Sequence, residues 1–210
     1  MLLTDRRVAP GSLSETNTYL GDLFMYKKGD IIPTDKEGLW QVYRGIIQLS
    51  KVDFEGEEIV LGWALPDTCF GKGINQRTEY QAVALSDVYL KWCSVEDINN
   101  SNYLCRNLLM QQSRRLTKTE EILSIIAIRR VEERLWQLIL FLSQEIGHPV
   151  PEGIRLGVRF THQNLANVIC TTRVTVTRLL GEFQDKGLIT FDSSRHIILN
   201  NVEYASPYRF

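Results

Sequence analysis

Hydrophobic positions change their spacing along this chain, and the changes divide it. Between Leu23 and Cys93 they come in short runs: Leu23-Phe24-Met25-Tyr26, Ile31-Ile32, Leu39-Trp40-Gln41-Val42-Tyr43, Ile46-Ile47-Gln48-Leu49-Ser50, Ile59-Val60-Leu61-Gly62-Trp63, Tyr80–Leu85 and Val88–Cys93. Lys28-Gly29-Asp30, Arg44-Gly45, Glu55-Gly56-Glu57 and Pro66-Asp67 punctuate them. Many short strands with regular turn signals predict a sandwich or barrel rather than a parallel sheet. From Val95 to about Arg130 the spacing is helical. Cys105, Leu109, Gln112, Leu116, Thr119, Leu123 and Ile126 recur alternately every four and three residues, the signature of a coiled-coil seam. A neighbouring stripe carries Leu104, Leu108, Arg115 and Ile122. One stripe can face a second chain while the other lies on the β part. A buried amphipathic helix within a monomer is the alternative, and the length of the helix favours the dimer.

A further helix, about Val131 to Ile146, is rich in Leu135, Trp136, Leu138, Ile139, Leu140, Phe141 and Leu142, and Gly147-His148-Pro149 ends it. Two shorter helices follow. Thr161 is placed to cap the first, whose apolar face is Leu165, Ala166, Val168 and Ile169. Cys170-Thr171 makes a turn. Thr172 caps the second, which buries Val176, Leu179, Leu180 and Phe183 and stops near Gly187. Its outer face keeps Arg173, Val174, Thr177 and Arg178: two forked donors and a methyl-bearing contact, a set that suits base edges in a DNA major groove. Leu188–Phe191, Asp192-Ser193-Ser194-Arg195 and His196–Leu199 then predict a β-hairpin beside the helix pair. The pattern is that of a winged helix-turn-helix, with the Val131–Ile146 helix as its third core helix.

The net charge is −1 over 210 residues, so no global basic field draws nucleic acid. Between Gly153 and Asn200, however, Arg155, Arg159, Arg173, Arg178, Lys186 and Arg195 outnumber Glu182, Asp185 and Asp192. That modest local excess suits a sequence-reading module. Cys69, Cys93, Cys105 and Cys170 lie far apart, which indicates neither a zinc site nor a disulfide framework. The N-terminus has no apolar signal core, and no run approaches the ~18 apolar residues of a membrane span, so a cytoplasmic setting is expected. Glu57-Glu58, Glu120-Glu121 and Glu132-Glu133 are adjacent pairs that split across faces. With no nucleophile elbow, phosphate loop or metal-spaced histidines, neither a catalytic nor a metal site is expected.

The order of a β part, a long helix and a winged helix-turn-helix resembles the layout of the cAMP receptor protein and fumarate-nitrate reductase regulator superfamily over nearly the whole chain. Gly45, Gly56 and Asp67-Thr68-Cys69-Phe70-Gly71 sit where that family has its turn glycines and its "GD–FG" turn, and Ser113-Arg114-Arg115-Leu116 resembles its dimer-helix "RRL". Thr171-Thr172-Arg173-Val174-Thr175-Val176-Thr177-Arg178-Leu179-Leu180-Gly181 is similar to the recognition helix of cyanobacterial nitrogen-control regulators. The resemblance implies an α+β chain. It would have an arm (1–20), an N-terminal, cyclic-nucleotide-binding-like β-roll of jelly-roll type (21–94), a dimerisation helix (95–130) and a winged helix-turn-helix domain (131–210). It implies a homodimeric transcription regulator reading a pseudo-palindromic, GTA-like operator. Arg173 would contact a guanine, Val174 a thymine methyl, and Arg178 a second base or a phosphate. Thr172, Thr175, Ser193, Ser194 and Arg195 would hold the backbone, with Thr161, His162 and Thr177 beside them. RNA polymerase is a further candidate partner, and no membrane is implied.

The departures concern the effector. Where the family's cyclic-nucleotide binders follow "FG" with a Glu that accepts from ribose, this chain has Lys72-Gly73, which offers no acceptor. Arg77-Thr78 are the nearest match to the phosphate-cradling Arg-Ser pair. The pattern argues against cAMP. Phe70, Gly71, Lys72, Arg77, Thr78, Arg115 and Thr119 remain a candidate pocket for another anion, set against a pocket that has decayed. Residues 1–68 contain no Cys, so an iron–sulfur cluster is not expected, and His148, His162 and His196 all lie in the C-terminal third, away from a haem site in the roll. Cys170 stands where the family often has Gly. The rival is a β-roll signalling or partner-binding protein, controlled by an anion or a protein, in which DNA binding is secondary; outward Arg173 and Arg178 count against it.

Overall fold

A computed structural model describes residues 23–52, 54, 56, 58–72 and 80–200. The arm, Arg77, Thr78 and the tail from Asn201 lie outside the described residues. The chain divides into two compact units, Met1–Thr119 and Glu120–Phe210, a division that falls within the long helical stretch.

The first unit opens with β1 (Leu23–Tyr26), β2 (Ile31–Ile32), β3 (Gly38–Arg44), β4 (Ile47–Val52), β5 (Glu58–Ala64), β6 (Cys69–Phe70), β7 (Gln81–Ala84) and β8 (Val88–Ser94). They form two four-stranded antiparallel sheets, β1-β8-β3-β6 and β2-β7-β4-β5. Alternate residues point inward. Tyr26, Trp40, Val42 and Leu90 from one sheet therefore meet Ile32, Ile47, Leu49, Ala82 and Ala84 from the other in a single apolar core, with Phe70. Of the strands in this unit the pattern missed β6, whose Cys69-Phe70 falls inside the Asp67–Gly71 stretch that reads as a turn.

Helices α1 (Val95–Asn100) and α2 (Asn102–Ala127) follow. The helix expected to run unbroken from Val95 is interrupted at Ser101, which is extended (φ −134°, ψ 101°). Asn99, Asn100, Ser101 and Asn102 are residues whose side chains compete with helical backbone bonds. Ser101 does so here, its hydroxyl accepting from the Leu104 N–H at 3.2 Å. The helix also ends at Ala127, short of the expected Arg130. Leu108, flanked by Leu104, packs on Cys69 and Cys93 of the sandwich, and Gln41 donates to Gln111 at 3.3 Å. Burial pushes the Cys69 thiol up to about 12 and the Cys93 thiol to about 11, so both are inert packing groups. Leu109, Leu116 and Leu123 of the seam stay exposed at 69%, 59% and 65%.

The second unit contains α3 (Val131–Ile146), β9 (Gly147–Val150), β10 (Gly153–Leu156), α4 (His162–Val168), α5 (Arg173–Asp185), β11 (Ile189–Phe191) and β12 (Ile197–Asn200). Its sheet has the order β11-β12-β10-β9, all antiparallel. The β9–β10 hairpin is absent from the pattern-based expectation, because Gly147-His148-Pro149 reads as a helix stop. Pro149 is tolerated there since β9 is an edge strand. Trp136 of α3 and Phe183 of α5 meet edge to face at 5.4 Å, both almost wholly buried, which makes α3 the third core helix.

Gly153 joins this sheet to the wing strand. Its φ is +146°, and a Cβ there would stand 1.8 Å from the Leu199 carbonyl oxygen. Gly153→Ala is expected to lower the unfolding free energy of the full chain by at least about 1–3 kcal/mol, the strain alone being of that order. Urea denaturation checks this; an unchanged midpoint would refute the account of the β10–β12 register.

Candidate nucleic-acid interface

The helix pair is built from local hydrogen bonds that its threonines supply. Thr161 caps α4, accepting from the Asn164 N–H at 3.0 Å while the Asn164 carboxamide oxygen accepts from the Thr161 N–H at 3.0 Å. Such reciprocal caps satisfy two orphan donors of the first turn. Cys170 makes the turn at φ 53°, a left-handed conformation. Its preceding carbonyl, on Ile169, accepts from Arg134 Nη1 of α3 at 2.9 Å, which ties the turn to the third helix. Thr172 caps α5, its hydroxyl accepting from the Thr175 N–H at 3.2 Å.

The inner face of α5 is Val176, Leu179, Leu180 and Phe183, and these are the residues that the sequence assigned to it. Outward stand Arg173, Val174 (79% exposed), Thr177 and Arg178. The four differ in what they are free to do. Arg178 is ion-paired with Glu182 one turn on. Thr177 donates its hydroxyl proton to the Arg173 carbonyl at 2.9 Å and meets His162 Nδ1 at 2.7 Å. Thr175 and Thr172 share a hydroxyl contact at 2.9 Å. Among these four, Arg173 and Val174 have exposed side chains with no hydrogen bond or ion pair of the kinds just described.

Beside α5 lies a groove of roughly 490 Å³, where Arg159, His162, Arg173 and Arg195 converge with Thr161 and Thr177. Burial, then the neighbouring Arg173 and Arg195, hold His162 below its ordinary pKa. Arg195 sits in the wing turn at φ 64°, between exposed Ser194 and half-buried His196. The turn is braced from β10. Arg155 Nε donates to Asp192 at 2.7 Å, its Nη2 lies 2.7 Å from His196 Nδ1, and the His196 N–H donates to Asp192 at 2.8 Å. The His196 N–H, with Arg155 behind it, brings the Asp192 carboxyl down to about 2. Because Arg155 can only donate, the His196 Nδ1 it meets is unprotonated, in keeping with a pKa lowered by burial and then by Arg155.

The sequence did not single out Arg159 for the groove or Arg155 for the brace. Arg159 was visible only as local charge, and Arg155 depends on β10, which was not foreseen. The candidate effector residues are placed differently. Phe70 is wholly enclosed in the sandwich core. Gly71 donates its N–H to the Tyr80 hydroxyl at 2.7 Å, and Arg115 of α2 reaches that hydroxyl too. Lys72 lies two residues beyond β6, with its carbonyl accepting from the Gly38 N–H at 2.9 Å. Thr119 is exposed, its hydroxyl bonded to the Arg115 carbonyl at 2.9 Å. Among the described residues no group of three or more His, Cys, Asp or Glu side chains could hold a metal, and no helix is long and apolar enough to cross a membrane.

Residues 133–204, which include the helix pair, the groove and the wing, match the Crp-like helix-turn-helix domain. The chain is 32% identical over 181 residues to the global nitrogen regulator of Synechocystis sp. PCC 6803, covering 82% of this chain and 80% of that one. The chain belongs to the CRP/FNR family of transcription regulators. The regulatory protein CysR of Synechococcus elongatus is 31% identical over 162 residues, covering 76% of this chain and 75% of that one. A CRP/FNR-family regulator from Thermus thermophilus has a solved structure with TM-score 0.68 at 26% identity, over 85% of this chain and 94% of its own. This CRP/FNR chain is therefore a DNA-binding transcription regulator. Its N-terminal sandwich is the family's β-roll, and the family consists of regulators rather than enzymes.

Two outcomes follow for this regulator's interface. The Asp192 carboxyl is depressed from an ordinary 3.8 to about 2, so its contribution to stability is present above about pH 4 and is lost as pH falls towards 2. Wild type is expected to be more stable than Asp192→Asn at neutral pH, with the difference closing across that acid window; a gap independent of pH in acid denaturation would contradict the brace. Cys170→Gly is expected to raise stability by roughly 1 kcal/mol by relieving the left-handed turn, with duplex binding unchanged in a parallel titration.

Proposed function

We propose that this chain acts as a homodimer on a pseudo-palindromic operator, with one α5 in the major groove of each half-site. The observation that carries the reading is the outward, open Arg173–Val174 pair on a helix whose opposite side is wholly buried. Arg173 forks onto a guanine O6 and N7, and Val174 packs on a neighbouring thymine methyl. Arg178 exchanges Glu182 for a second base or a phosphate. Thr161, His162, Thr172, Thr175, Thr177, Ser193, Ser194 and Arg195 sit along the backbone, with Arg159 added from the groove. The likeness of Thr171–Gly181 to nitrogen-control regulators favours a GTA-like core, and the names of the relatives favour genes of nitrogen metabolism.

The dimer joins along the α2 seam of Cys105, Leu109, Gln112, Leu116, Thr119, Leu123 and Ile126, and the three exposed leucines support this. The operating layout is an arm, a roll to residue 94, a dimerisation segment over 95–130 that contains α2, and a DNA-binding domain to 210. A change in the register of the paired helices would alter the spacing of the two recognition helices. An anionic effector is consistent with Arg115 beside Tyr80 and Gly71, whereas cAMP lacks its ribose acceptor at Lys72. The protein works in the cytoplasm, with RNA polymerase as a further partner.

Fluorescence anisotropy on a labelled GTA-type pseudo-palindromic duplex tests this, with a scrambled duplex as control and a salt series. Arg173→Ala is expected to weaken specific binding by roughly 1–3 kcal/mol per half-site, about fivefold to 150-fold for each, and to narrow the gap to the scrambled duplex. Equal binding of both duplexes by wild type, with and without added anions and on selected random sequence, would sink the reading. Leu116→Lys is expected to shift the protein to monomer in sedimentation; an unaltered dimer would displace the interface from α2.

A further inference from the structure

Among the described residues, the charged and titratable side chains lining the groove beside α5 are Arg159 before α4, His162 at the start of α4, Arg173 on α5 and Arg195 in the wing turn. None of the described residues lining it is a carboxylate. The tautomer of His162 is set by its neighbour. Thr177 has one hydroxyl proton, and the Arg173 carbonyl takes it at 2.9 Å. The 2.7 Å contact between that hydroxyl and His162 Nδ1 therefore runs the other way, with Nδ1–H donating to the Thr177 oxygen. In the neutral ring this leaves Nε2 as a lone pair. A phosphodiester oxygen only accepts hydrogen bonds, so neutral His162 has nothing to offer it through Nε2. The imidazolium offers both a donor and a charge.

We propose that His162 binds a backbone phosphodiester of the operator as its imidazolium, through Nε2–H, so that DNA binding takes up one proton from solvent at this residue. The inference rests on the DNA reading above. In the free protein, burial and the cations Arg173 and Arg195 disfavour that proton. A phosphate entering the groove offsets those cations and reverses the preference. The affinity gained through the proton is complete below the free-state pKa of His162 and is lost as pH rises through its higher bound-state pKa.

The test is anisotropy with the full chain and the GTA-type duplex from about pH 5 to about pH 8, the range in which histidine titrates, at constant ionic strength. His162→Asn retains a donor for Thr177 but lacks Nε2, and His162→Gln is the second variant. Wild type is expected to bind roughly tenfold tighter per half-site at the acid end for each pKa unit by which DNA raises His162, relative to both variants at the same pH. His196 titrates in all three proteins, so its effect cancels in that ratio. The His162 ring resonance, followed by NMR, is expected to titrate at higher pH with the duplex than without it. Parallel pH profiles for wild type and variants, or an unmoved ring titration, overturn the proposal and leave the DNA reading standing. No duplex binding at any pH, on selected random sequence as well, overturns both.

Discussion

Val176, Leu179, Leu180 and Phe183 cannot leave the interior of the second unit, and that constraint governs what α5 presents outside. At 100° per residue the four form one stripe, which places Val174 and Arg178 on the opposite side and Arg173 and Thr177 on the flank that borders the groove. A helix of this length is marginal in water by itself, so its stability comes from burial against α3, where Phe183 meets Trp136. The outer residues contribute little to that burial. Recognition chemistry can therefore vary on this surface without disturbing the fold, provided the inner stripe stays apolar.

The hydroxyl groups of the interface are largely committed within the protein. Thr161 and Thr172 cap their helices, Thr175 leans on Thr172, and Thr177 bonds back to Arg173 while receiving His162. Each bond orders backbone or side chain before any partner arrives, which reduces the entropy lost on binding. The cations divide in the same way. Arg134 secures the turn and Arg155 secures the wing. Arg173 and Arg195 face the groove. The Arg178–Glu182 pair is exposed and so worth little in stability. Its greater effect is to hold Arg178 along the helix surface beside Glu182.

How far the sequence revealed this depended on the range of the interaction concerned. The stripe on α5, both threonine caps and the wing hairpin are local patterns within a few residues; the stripe and the caps were legible to the residue, and the wing strands to within one residue at an end. The principal strands of the β-roll were legible in place, though not at every end, because short apolar runs alternate with glycine turns. The break at Ser101 was hidden because the apolar period continues through it, although four helix-poor residues in succession marked the place. The β9–β10 hairpin was hidden because Pro149 reads as a stop until its edge position is known. Partners distant in sequence were the least visible. Nothing near Arg155 announces Asp192, and nothing near Arg134 announces the Ile169 carbonyl. The candidate effector set suffered most, since Phe70 suits the sandwich core as readily as a pocket.

The charge balance connects the two proposed interfaces. A chain of net charge −1 has no long-range field to concentrate it on DNA. The cations facing one groove can neutralise only a few phosphates, and counterion release scales with that number. A single half-site contact of this kind is weak at physiological salt. Joining two such units along α2 makes the second contact intramolecular, so its effective concentration depends on geometry and no longer on the amount of protein. The same joining makes specificity a property of spacing: two helices held at the wrong separation lose the second contact altogether. On this account the leucines of α2 matter to DNA recognition as directly as Arg173 does, although they touch no base. Any signal that shifts those leucines by part of a turn would act on the operator without altering a single residue in the groove.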